Sequence, residues 1–242
     1  MIALPAPIEI LAVQVHPLTV DELHEQLSAI IDGNGRARVL HVNAHGLNLA
    51  TERPWMRDLL NEAEIVFCDG AGVMLGARLL GYHIPQRITY ADWMWQLAAF
   101  CAGRGYSLYF LGAKPGVAAA AAEQLKARYP ALEILGVQHG YFNSATDHEE
   151  NRRVIAHINQ SRPHILLVGM GMPRQEQWLR DNWDRLQVNV ALTGGAVFDY
   201  MSGELRRAPR WMTDHGLEWL GRLLIEPGRL WKRYLLGNPV FL

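Results

Sequence analysis

Three glycine-rich segments hold most of the side chains that could do chemistry. The first, Phe67-Cys68-Asp69-Gly70-Ala71-Gly72, places an acid directly after an apolar run, and its glycines let a ligand approach the backbone. A carboxylate there suits general-base work. The competing reading, favoured by spacing alone, is an Asp that caps the next helix near its positive dipole end. The second segment runs from Gly169 to Trp178 as GMGMPRQEQW. Gly169-x-Gly171 before Pro173 forms an anion cradle if free N–H groups and a helix dipole point the same way. Gln175 and Glu176 fall in the first turn, where they face the cleft or cap the helix. The third segment, TGGAVFDYMSGELRRAP, combines Gly194 and Gly195 with Asp199, Arg206 and Arg207. It reads as tight turns near a ligand, as a structural joint to the C-terminal residues, or as both.

Asn43 ends another apolar run in HVNAHGLNLA and is a candidate polar contact. His41 and His45 are four apart, but the span reads as a strand end and a turn, which does not pair them on a metal. The chain contains no Asp-x-Asp pair, the usual means of holding a divalent ion on a nucleotide-sugar diphosphate. If a diphosphate leaves here, Arg and Lys must neutralise it through charge-assisted hydrogen bonds. Arg222, Arg229, Lys232 and Arg233 are candidates, weighed against an ordinary solvated basic face.

The elements that must position these residues follow from periodicity. Apolar runs predict strands over 39–43, 65–68, 107–111, 133–137, 165–168 and 188–193. Helical patterns cover 19–31, 92–103, 116–128, 149–160 and 174–183. Thr19 with Glu22 makes a capping-box pattern for the first helix. Continuous runs such as HILLVG suit strands covered on both faces. The alternation predicts an α/β, Rossmann-like fold: a mostly parallel sheet with helices on both faces. Ligands then sit beyond the carboxyl ends of the strands, where the three segments fall.

After Gly203 the strand pattern stops. Residues 204–242 carry seven basic and four acidic side chains, a net of +3 in a chain of net −1. With Trp211, Trp219, Trp231, Tyr234 and Phe241 they read as a basic, aromatic-rich helical appendage on a body of residues 1–203. Pro227 divides two short helices within it. Such a composition suits an anionic headgroup layer, so the appendage is expected to dock on a membrane and complete the site.

Half of the 242 residues are apolar and 19% are charged, enough for one α/β domain and against disorder. The near-neutral total gives no electrostatic case for nucleic acid. Cys68 and Cys101 lack metal-ligand spacing and read as buried thiols in a reducing compartment. No basic segment precedes the N-terminal apolar stretch, so no signal peptide is expected. No run of 18 apolar residues predicts a bilayer span.

In order and spacing these motifs resemble the WecG/TagA/CpsF family of bacterial glycosyltransferases. The likeness covers about 39–233. It rests on Asn43, Asp69–Gly72, Arg87 through Asp92, FLGAKPGV, Gly140–Phe142, GMPRQEQW, GGAVFDYMSG, Arg207-Ala208-Pro209 and LEWLGRLLIEPGRLWKR. The resemblance implies an inverting, metal-independent enzyme without a cofactor. It would move a sugar from a UDP-sugar donor to an undecaprenyl-diphosphate-linked saccharide, at the inner face of the cytoplasmic membrane. The sugar would be N-acetylmannosamine, its uronate or glucose, and the pathway teichoic acid, enterobacterial common antigen or exopolysaccharide synthesis. It casts Asp69 as general base, Asn43 and Gln175 as orienting contacts, and Arg222, Arg229 and Lys232 as a diphosphate clamp. The strand-end backbone at Gly171, Gly194 and Gly195, together with Arg87, completes the expected substrate-binding set. This chain departs from the family in His41 for the common Thr, Tyr90 for Gly and Lys232 for Arg. The first two bear on sugar or acceptor identity.

Two other readings compete. An NAD-type oxidoreductase could use the Gly169–Gly171 turn, but Arg174 stands in place of the third glycine and the ribose-binding acid is missing. A nucleotide-binding module without turnover could recruit a membrane partner through its tail. Apolar surface on the body under the appendage could also serve the dimer or trimer interface of a homo-oligomer.

Overall fold

In the computed structural model, residues 3–241 are described; Met1, Ile2, Leu242 and the side chain of Arg229 lie outside them. Six parallel strands form the main sheet in the order β4-β3-β8-β7-β5-β6. They are β3 (Ala37–Val42), β4 (Ile65–Cys68), β5 (Leu108–Gly112), β6 (Ile134–Gln138), β7 (Ile165–Gly169) and β8 (Val190–Thr193). Every residue of β4, β5, β7 and β8 is buried, as the unbroken apolar runs require. The six strands agree with the sequence reading to within about two residues at their ends, the usual uncertainty of element boundaries.

Helices cover both faces. On one face lie α1 (Val20–Asp32), α5 (Tyr90–Arg104), α6 (Val117–Arg128) and α9 (Val197–Ser202), whose core includes Leu23, Trp93, Leu97, Leu125 and Phe198. On the other lie α2 (Ala44–Glu52), α3 (Pro54–Glu62), α4 (Ala71–Leu79), α7 (Glu149–Ser161) and α8 (Arg174–Asn182), with Leu47, Met56, Val73, Ile158 and Trp178 in the core. Thr19 caps α1 through the full capping box with Glu22.

Several elements differ from expectation. An antiparallel hairpin, β1 (Ile8–Ile10) and β2 (Val13–Val15), precedes α1. It continues onto the free edge of β4 through a bridge from His16 to Phe67 and thereby shields that edge. The expected turn after Asn43 is a helix. Asn43 Oδ1 accepts the Gly46 N–H at 3.1 Å, so the side chain starts α2 one residue after the strand. α3 begins at Pro54, whose missing N–H costs nothing at a first helical position.

One glycine sets the packing of the strand ends. Gly112 has φ +151°, and a Cβ there would lie 2.1 Å from the Gly169 carbonyl oxygen of the neighbouring strand. Gly112→Ala is therefore expected to destabilise the fold by about 3 kcal/mol or more, since strain and collision combine. Chemical denaturation of the variant checks this; an unchanged midpoint contradicts it.

The C-terminal residues form short helices: α10 (Arg210–Asp214), α11 (Glu218–Ile225), α12 (Pro227–Trp231), a π-helical turn (Lys232–Leu236) and α13 (Gly237–Phe241). Pro227 separates α11 from α12 as its fixed φ and missing donor demand. The appendage folds back onto the body. α13 packs on α2, Asn48 Nδ2 donates to the Gly237 carbonyl at 2.7 Å, and the Phe241 ring seats against Gly76 of α4. Arg207 pairs with Asp92 at the start of α5.

Candidate active site

The carboxyl ends of β3, β4, β5, β7 and β8 and the underside of the appendage enclose one cavity of about 1210 Å³. Its wall includes Asn43, Asp69, Arg87, Gly171, Gly194, Gly195 and Arg222, so the structure brings seven of the expected site residues together. Cavities at strand ends are where open α/β sheets bind ligands.

Asp69 leaves β4 with its N–H donated to the Val42 carbonyl at 2.8 Å. It does not cap α4: Gly70 is the N-cap, and no side chain bonds there. Gly70, with φ +156°, turns the chain so closely past Asn43 that a Cβ would meet Asn43 Cβ at 3.3 Å. The carboxylate therefore faces the cavity, with 19% of its side chain exposed. Burial pushes its pKa up to about 6, against the opposing pull of Arg87, Arg233 and Arg222. A carboxylate that titrates close to neutral pH is suited to accept a proton.

His41 Nε2 lies 3.8 Å from Asp69 Oδ2, and its Nδ1 lies 3.3 Å from Thr193 Oγ1. Burial lowers His41 and His45 to about 4, so both wall imidazoles are neutral at pH 7. The positive charge facing Asp69 therefore comes from guanidinium groups. Arg87 also reaches the appendage: Nη2 donates to the Thr213 carbonyl at 3.1 Å and Nη1 is 3.8 Å from Glu218 Oε2. Arg222 lies over the Tyr200 ring and 3.5 Å from Glu226. Among the described residues no group of three His, Cys, Asp or Glu is gathered as metal ligands. Cys68 and Cys101 are free and buried, with thiols pushed up to about 12 by burial.

Three expectations need correction. Gln175 is fully buried and off the cavity wall. Its Oε1 accepts the N–H groups of Gly171 at 3.1 Å and Gly195 at 2.9 Å, and its Nε2 donates to Glu176 at 2.7 Å. It clips two strand-end turns together and thereby positions the wall. For the same reason the Gly171 N–H is not available to an anion, which weakens the expected cradle there. Finally, Lys232 is exposed against the Trp231 ring, while its neighbour Arg233 lines the cavity. Arg229 belongs to α12, and its side chain lies outside the described residues.

The sequence reading missed Tyr200 and Glu218 on the wall. Glu218 was within reach of it: four residues before Arg222 on one helix, it must share that residue's face. Burial raises the pKa of Glu218, with Asp69 the next cause.

A cavity wall that holds the Asp69 carboxylate, raised to about 6, together with Arg87, Arg222 and Arg233 can both accept a proton and hold an anion. The Glycosyl transferase WecG/TagA/CpsF family matches residues 8–242. The chain belongs to this family. It is thus a glycosyltransferase, and the oxidoreductase and the module without turnover are set aside. It is 30% identical over 178 residues to an N-acetylglucosaminyldiphosphoundecaprenol N-acetyl-beta-D-mannosaminyltransferase of Bacillus subtilis, covering 74% of this chain and 67% of that protein. It is also 30% identical over 205 residues to the enzyme of the same name from Bacillus spizizenii, covering 85% and 77%. In this glycosyltransferase, segments from Asn43 to Arg233 line one cavity.

Proposed function

We propose that this glycosyltransferase moves an N-acetylmannosaminyl group from UDP onto a polyprenyl-diphosphate-linked N-acetylglucosamine, with inversion at the anomeric carbon. The names of the two relatives favour this sugar among those compatible with the motifs. The observation that carries the mechanism is Asp69, raised to about 6 on the wall it shares with Arg222 and Arg233. The acceptor hydroxyl attacks the anomeric carbon and gives its proton to Asp69. The bond from that carbon to the diphosphate oxygen breaks, and UDP leaves with the electron pair. Arg222 and Arg233 stabilise the charge that builds on the diphosphate, which lowers the barrier because the gain is greatest in the transition state. Guanidiniums take the place of a metal in this scheme. Asn43 and Arg87 orient the substrates, and the strand-end turns at Gly171, Gly194 and Gly195 shape the wall beneath them.

The acceptor's lipid requires a membrane surface. No helix of the described residues is long and apolar enough to cross one. The appendage instead exposes Trp211, Leu224, Trp231, Leu236 and Val240, the last 74% exposed, beside Lys232. Apolar side chains with interleaved aromatics and cations suit peripheral docking on an anionic inner leaflet. We assign the surface to the bilayer and not to a second copy because it continues the lid over the cavity that must receive the lipid diphosphate.

The test is transfer from a panel of UDP-sugars to a short-chain lipid-diphosphate N-acetylglucosamine, with and without chelator. UDP-N-acetylmannosamine is expected to give a β-linked product at a rate the chelator does not change. Loss of activity with chelator overturns the metal-free scheme, and no product from any UDP-sugar overturns the whole reading.

A further inference from the structure

Tyr90 lies on the cavity wall, yet only 3% of it is exposed. Its ring is fixed on several sides. It meets the His41 edge at 5.2 Å, Trp93 at 5.1 Å and Phe67 at 6.0 Å between centroids. The hydroxyl at its tip has no hydrogen-bond partner among the described residues. A buried tyrosine hydroxyl normally finds one, because an unmet polar group costs about 1–3 kcal/mol. Here the packing that locks the ring leaves the hydroxyl unmet.

Two carboxylates lie near enough to act on this hydroxyl electrostatically, Asp69 and Glu176, and neither is bonded to it. Both disfavour its ionisation, as burial does, so Tyr90 remains an O–H donor throughout the working pH range. Glu176 Oε2 is itself buried without a partner. A fixed, neutral donor on the cavity wall, within electrostatic reach of the Asp69 carboxylate, is a recognition point for an oxygen that can accept from it. A sugar hydroxyl can do so.

We propose that Tyr90 is a specificity-determining residue that donates its hydroxyl hydrogen bond to a sugar oxygen at the reaction centre. The inference rests on the reading of Asp69 as the base beside which that sugar lies. Its physical content is that the apo protein carries an unmet buried donor which the sugar satisfies. A sugar lacking that oxygen leaves the donor unmet and is rejected.

Tyr90→Phe removes the oxygen and keeps the ring. Equilibrium binding separates the two sources of the sugar. One arm compares UDP-N-acetylmannosamine with UDP, and the other compares lipid-diphosphate N-acetylglucosamine with the bare lipid diphosphate. In one arm the affinity added by the sugar is expected to fall about tenfold in Y90F, with UDP and bare lipid diphosphate bound as in the wild type. The melting temperature of ligand-free Y90F is expected to equal or exceed that of the wild type, an outcome a structural hydroxyl would not give. Unchanged sugar increments in both arms overturn the proposal. A Y90F melting temperature well below the wild type also overturns it, by revealing an internal partner. Transfer measured in parallel separates this from the mechanism. If the wild type binds sugars in a Tyr90-dependent way but transfers none, the role of Asp69 fails and that of Tyr90 stands.

Discussion

Asp69→Asn is expected to lower kcat about a thousandfold, within the usual range for loss of a general base, while UDP affinity stays near that of the wild type. The amide keeps the shape of the carboxylate and cannot take the acceptor proton. The same substitution is expected to stabilise the protein. The folded pKa of Asp69, about 6, stands above its ordinary value of 3.8, so the folded state binds this proton more tightly than the unfolded state does. Stability attributable to Asp69 is therefore greatest below pH 4, declines as the pH rises through 4 to 6, and stays low above 6. The shift corresponds to about 3 kcal/mol, which the Asn variant recovers at neutral pH and not at pH 4. Denaturation of both proteins at the two pH values measures it. The wild-type kcat/KM should rise with pH through about 6 and then level off. Transfer by the Asn variant at the wild-type rate would exclude Asp69 as the base.

Arg233→Ala is expected to reduce kcat about a hundredfold, whereas Lys232→Ala should change it by less than about threefold. Arg233 lines the cavity and acts on Asp69, Glu176, His41 and His45, while Lys232 points outward beside Trp231. The two substitutions remove the same charge from adjacent positions, so any difference between them reports geometry. Arg233 also favours the ionised form of Asp69, and its loss should move the acid limb of the pH profile upward. Steady-state kinetics from pH 5 to 8 on both variants decides the matter. If Lys232→Ala has the larger effect, the clamp is misassigned.

The linear chain by itself determined the sheet and put Asp69 at one of its strand ends. Runs such as ILLVG can be satisfied only as strands covered on both faces, and the Asp-Gly pair that follows β4 must then stand at the sheet's ligand-binding edge. The Thr19–Glu22 cap was equally legible, because it is a local exchange of hydrogen bonds. Short helices such as α2 were not, because α2 depends on Asn43 turning inward to cap it and on packing against α3 and α13. Tertiary structure alone decided which polar side chains face the cavity. Gln175 was removed from the wall because two turns, twenty-four residues apart from Gly171 to Gly195, both need its oxygen. In the tail, the choice of Arg233 over Lys232 was hidden by the π-helical turn at Lys232–Leu236. A turn bonded i to i+5 breaks the 3.6-residue period, and with it the rule by which sequence spacing assigns a side chain to a helix face.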